Sequence, residues 1–135
     1  MLGFASINLI RPQTQASLDT TVKTLVTDIA QQQIKAMGGD TDGTSEAIEH
    51  SIRFEANRYI LFRGTIYSAA EPSNFSVNLE GSLQLSTSFP SSQVVFQKRS
   101  GEVTVPGSNT VTVQNIQTGQ QKIITINKYG AITIN

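Results

Sequence analysis

LDTTVKTLVTDIAQQQIKAMGG, residues 18 to 39, is the stretch whose reading decides the fold. Leu18, Val22, Leu25, Val26, Ile29, Gln33 and Ala36 recur at steps of three and four, while Asp19, Lys23, Thr27 and Gln31 fall on the opposite side. That spacing predicts an amphipathic helix with one buried stripe, in which Leu18, Val22, Leu25, Val26 and Ile29 form the core face. Gly38-Gly39 supplies its stop, because glycine accepts the left-handed conformation that commonly ends a helix.

Working back towards the start, the chain reads Met1-Leu-Gly-Phe-Ala-Ser-Ile-Asn-Leu-Ile10, then Arg11-Pro12. This run is nearly continuous in apolar character, yet about ten residues long where a membrane span needs about 20. Pro12 either opens the amphipathic helix or kinks a longer helix that includes the run. Contiguous apolar surface of this kind marks association or membrane contact. Leu2, Phe4, Ile7, Leu9 and Ile10 are therefore the candidate anchor residues, and Leu2–Ile10 is expected to be the remaining part of a longer anchor.

Working forward, the periodicity changes from 3.6 to 2. Ser51–Phe54 and Arg58–Arg63 flank Glu55-Ala56-Asn57 as a short hairpin. Phe75, Val77 and Leu79 alternate with Ser76, Asn78 and Glu80, as in a half-buried strand, and Leu83 and Leu85 repeat the pattern. Val94-Val95-Phe96 reads as a short core strand. Thr110–Asn115, Lys122–Asn127 and Ala131–Ile134, divided by Thr118-Gly119 and Lys128-Tyr129-Gly130, form a closing antiparallel meander. The fold class is α+β: an N-terminal amphipathic α-helix packed on antiparallel β-sheets, two small sheets in a sandwich-like body.

Composition narrows the chemistry. The chain has no cysteine, ten basic and ten acidic residues, and only 15% charged residues, against an average near 25%. Thiol-ligated metals and disulfides are excluded, and a neutral surface is poor at capturing nucleic acid electrostatically. No nucleophile elbow or phosphate-binding glycine loop is present. His50, the one histidine, has only sequence neighbours as partners, and adjacent residues on a strand point to opposite faces. It is expected on the surface or in a loop.

Two clusters remain. Asp40, Asp42 and Glu46 could offer oxygens to a calcium ion, with Gly43 permitting the turn, but the segment is too short for a twelve-residue calcium loop. A solvated, turn-capping loop is the simpler expectation. Arg53, Arg58, Arg63, Lys98 and Arg99 are the candidate nucleic-acid contacts, diluted in sequence by Glu55, Glu71 and Glu102.

Taken together, these residues resemble the type IV pilin and type II secretion-like minor pseudopilin superfamily. The resemblance lies in the apolar Leu2–Ile10 segment leading through a proline into Leu18–Met37, and in Ile52-Arg-Phe-Glu55 followed by Tyr59-Ile-Leu-Phe-Arg-Gly64 and Tyr67. Val94-Val-Phe96 with Gly101-Glu-Val103, and the ending from Thr110-Val-Thr-Val113 to Ile132, complete it. The family's basic leader, methylated phenylalanine and following glutamate are not in the sequence. The resemblance implies a single domain: an anchor remnant (residues 1-12), the amphipathic helix (13-37) and a β-rich part (38-135).

It also implies a structural role without catalysis or cofactor. The subunit would sit in the cytoplasmic membrane, facing the periplasm or cell exterior, before joining a pilus or secretion pseudopilus. Its partners would be other pilin or pseudopilin subunits, with no small-molecule substrate. The alternative is an extracellular binding module on a helical stalk, such as a DNA-uptake minor pilin using the Arg and Lys residues named above.

Overall fold

A computed structural model describes the backbone of residues 2–39 and 47–135, and the side chains of residues 17–38 and 47–135. Helix α1 spans Leu2–Ile34 without a break at Pro12, then widens into a π-helical turn over Lys35–Gly39. Gly38 ends it at φ 105°, the positive φ that glycine adopts without the clash a Cβ would meet. Eight strands follow: β1 (His50–Glu55), β2 (Arg58–Arg63), β3 (Phe75–Asn78), β4 (Leu83–Thr87), β5 (Gln93–Phe96), β6 (Asn109–Asn115), β7 (Gln121–Ile126) and β8 (Ile132–Ile134).

The strands form two four-stranded antiparallel sheets, ordered β3-β2-β1-β5 and β4-β6-β7-β8. The closing meander occupies the second sheet. A common core lies between helix and sheets. Leu18, Val22, Leu25 and Ile29 from α1, and Ala36 from the π-helical turn, meet Ile52, Phe54, Tyr59, Val94 and Phe96 from the first sheet and Leu83, Leu85, Val111, Val113, Ile124 and Ile126 from the second. Val26 packs at the flank of this cluster.

Backbone bonds outside the ladders join the sheets. The Leu85 amide donates to Ala56 O at 2.9 Å, so the β1–β2 turn rests on β4. Val103 bridges Phe96 and donates its amide to Lys128 O at 2.7 Å, linking β5 to the turn before β8. These bonds satisfy amides that an open seam would leave unpaired.

The middle of the first sheet, where β2, β1 and β5 lie side by side, is buried on both faces. Ser51, Ile60, Phe62 and Val95 alternate with the core-facing residues and are also buried. Tyr67, from the connection after β2, packs edge-on against Phe62 with ring centroids 5.6 Å apart, and carries the Arg53 guanidinium 4.9 Å from its own ring centre. Double burial explains why Tyr59-Ile-Leu-Phe62 shows no alternation in sequence.

Several details differ from the periodicity. Phe75 is 63% exposed because β3 is an edge strand, leaving Val77 and Leu79 only partly packed on the core. His50 is not a surface histidine. It opens β1, is only 3% exposed, and its Nδ1 lies 2.8 Å from Ile48 O. On α1 the stripe continues through Gln32, 2% exposed, while Gln33 is half-buried beside it.

Candidate functional site

The functional candidate is α1, and the site is the set of contacts that fixes its second half to the body. Two consecutive glutamines reach opposite ways. Gln32 Nε2 donates to Ser51 O at 2.7 Å and to Phe62 O at 3.3 Å in the first sheet. Gln33 Nε2 donates to Gly101 O at 3.0 Å and to Tyr129 O at 2.8 Å, holding the loops beside the second sheet. One helical turn thereby grips both halves of the body. A buried amide that donates twice offsets its own desolvation, which apolar packing alone would not require.

The loops come close because two glycines stand there. A Cβ on Gly130, at φ 83°, would overlap the Gln33 amide, and one on Gly101, at φ 68°, would lie 2.6 Å from Met37 Cγ. The helix end is closed by the same loop, whose Arg99 amide donates to Ala36 O at 2.7 Å. An orphan carbonyl of the last turn is satisfied in this way.

Earlier on the helix, buried Tyr59 donates its hydroxyl to Asp28 Oδ2 at 2.7 Å. Burial, and then the neighbouring carboxylate, raise the Tyr59 pKa well above its ordinary value of 10.0. A phenol that ionises less readily folded than unfolded stabilises fully below pH 10, and this contribution is lost as pH climbs beyond it. Stability should fall by up to about 1.4 kcal/mol per pH unit above pH 10 on this account. Tyr59→Phe should flatten that slope in alkaline denaturation, and an unchanged slope would reject the assignment.

The sequence candidates are placed as follows. Arg53 and Arg58 share one carboxylate, Glu55, at 3.2 and 2.7 Å on the outer face of the first sheet. The Arg58 bond, ahead of that from Arg53, holds the Glu55 carboxyl below its usual range. Arg63 lies on the opposite face, its Nε 3.4 Å from Ser73 Oγ. Lys98 and Arg99 stand at the helix end. The five cations therefore do not form one phosphate-tracking surface. Asp40, Asp42 and Glu46, and the side chains of Leu2, Phe4, Ile7, Leu9 and Ile10, lie outside the described residues.

A groove of about 530 Å³ opens beside the helix end, lined by Gln32, Lys35, His50, Leu61, Phe62, Arg63, Ser73 and Phe75. Among the described residues no three His, Asp or Glu side chains gather to hold a metal, and no helix is long and apolar enough to cross a membrane.

A long N-terminal helix laid over two antiparallel sheets is shared with solved structures. The minor pseudopilin EpsH from the type 2 secretion system of Vibrio cholerae superposes with a TM-score of 0.64, covering 88% of this chain and 96% of its own, at 15% identity. The fold is that of the pilins. The type IV minor pilin FimU of Pseudomonas aeruginosa shows the same pilin fold at TM-scores of 0.66 and 0.62 in two crystal forms, at 13% and 14% identity. These cover 90% and 87% of this chain, and 90% and 92% of FimU. No sequence-family model matches the chain, and no curated protein matches it either. At 13–15% identity the likeness is one of fold.

Proposed function

We propose that this protein is a non-catalytic structural subunit of a pilin-type filament, a minor pilin or pseudopilin, held in the cytoplasmic membrane by its N-terminal helix before assembly. The observation that carries this reading is the continuity of α1. One helix of 33 residues joins the apolar Leu2–Ile10 run to the stripe packed on the sheets. At 1.5 Å per residue it is about 50 Å long, more than the roughly 30 Å breadth of a small domain. The pilin fold supports the same reading, because EpsH and FimU are a pseudopilin and a pilin.

In this scheme the half of α1 beyond Leu18 is fixed to the body, and the Leu2–Ile10 segment packs on lipid or on sister helices. Burial in lipid before assembly means that helix–helix packing, rather than water exclusion, drives the final association. The test places a charge in the run. Phe4→Asp with Ile7→Asp in the natural protein should remove it from the membrane fraction and from filaments, since a carboxylate at bilayer depth costs about 3 kcal/mol. Retention of the doubly charged variant in membrane and filament would overturn the proposal.

A further inference from the structure

The first sheet carries a coupled pair of guanidiniums on the face turned away from α1. Ile52, Phe54 and Tyr59 point into the core, so Arg53, Glu55 and Arg58, which alternate with them on the paired strands, point outward. Glu55 bridges the two arginines. Its Oε2 accepts from Arg53 Nε at 3.2 Å and its Oε1 from Arg58 Nε at 2.7 Å. The terminal Nη groups of both arginines have no hydrogen-bond partner among the described residues, and the two side chains are 35% and 38% exposed. Each guanidinium is thus fixed by one edge and offers its fork outward.

The connection after β2 braces this arrangement. Ser51 Oγ donates to Gly64 O at 2.6 Å, and Gln93 Nε2 donates to Thr65 O at 2.9 Å, with Gln93 opposite Arg53 across the β1–β5 pair. Tyr67 then lies against Phe62 and carries the Arg53 guanidinium on its ring. Ile66, between these fixed neighbours, is 84% exposed, an apolar side chain held up beside the arginines.

The cluster lies at the far end of β1, about 17 Å along the strand from His50, which borders the groove at the helix end. Its charge is counted over three side chains bonded to one another. Two guanidiniums and one carboxylate, which the Arg58 bond above all keeps ionised, leave one positive charge. That valence selects among anions. One further carboxylate neutralises the trio, whereas a phosphate dianion leaves a negative charge beside Glu55. On an open sheet face an ion pair alone is weak. An apolar group packed on Ile66 adds the desolvated contact that retains a protein partner.

We propose that Arg53 and Arg58, set in place by Glu55 and Tyr67, bind an aspartate or glutamate side chain of a partner protein, with Ile66 receiving an apolar residue next to it. The site belongs to the sheet and stands whether or not the N-terminal helix is an anchor.

The test titrates the full chain with capped tripeptides in which leucines flank a glutamate, a glutamine or a dianionic phosphoserine. The arginine Nε–Hε and Ile66 methyl signals are followed by NMR. The glutamate peptide should shift both arginine signals with one midpoint, about fivefold tighter than the other two peptides. Arg58→Gln should weaken it about fivefold, and Ile66→Ser should weaken the glutamate and glutamine peptides equally. Glu55→Gln is decisive. It raises the site to two positive charges, so the phosphoserine peptide should become the tighter ligand, a reversal that a purely structural Glu55 would not produce. The proposal is overturned by the lack of a saturable shift, by a preference for phosphoserine in the unaltered chain, or by a preference that Glu55→Gln leaves unmoved. Self-association lost in Arg58→Gln overturns it too, by making a second copy the occupant.

Discussion

Gly130→Ala is expected to destabilise the protein by about 3–4 kcal/mol, a large share of the 5–15 kcal/mol typical of a domain. Two costs combine. Gly130 sits at φ 83°, where an L side chain costs about 1–2 kcal/mol. The new Cβ would also occupy the space of the Gln33 amide, which must withdraw from Gly101 O and Tyr129 O at about 1 kcal/mol per hydrogen bond. Gly119→Ala is the control, since Gly119 has nearly the same φ, 78°, and nothing within 4 Å of its Cβ position. It should lose only the backbone part. Urea midpoints of the two variants isolate the close approach, and equal losses would show that helix and loop are not locked together there.

The second large effect is expected at Leu25, fully buried in the middle of the helix stripe. Leu25→Ala should cost about 3–4 kcal/mol, within the range for truncating a buried leucine, because a residue enclosed between helix and sheets leaves a cavity that cannot close. Val26→Ala, at the flank, should cost about 1 kcal/mol. The helix supplies part of the core for both sheets, so strand and helix signals should be lost in one transition. Strand amides that stay protected after the helix has melted would show instead that the sheets stand alone.

Much of this was legible in the sequence, for a physical reason. The helix and the closing meander each keep one face wet, so their periods survive as alternation, and glycines mark where they stop. The first sheet was harder. Tyr59–Phe62 is buried on both sides, and a strand with two dry faces has no period to read. Gln32 and Gln33 illustrate a finer limit. Steps of four, three and four from Leu25 through Ile29 lead to Gln32 and Ala36, but two adjacent glutamines have the same hydropathy, so the pattern alone favours neither. His50 was misplaced because burial of a single polar residue depends on a hydrogen-bond partner, here Ile48 O, that composition does not reveal. The contacts of Gln33 and the helix end were illegible, because they bring together residues 33–37, 99–101 and 129–130 from three distant segments.

The unequal wrapping of the two sheets governs where this molecule can change over generations. Substitution at Ser51, Ile52, Tyr59–Phe62 or Val94–Phe96, in the middle of the first sheet, meets packed neighbours whichever way the side chain points. On the outward side of the second sheet Gln84 and Ser86 are exposed and Thr112, Gln114 and Thr125 half-buried beside them, so a new side chain there has room to turn to solvent. A lineage can repaint that panel freely while the frame beneath it is held constant, so descendants of one such body should diverge first on that side.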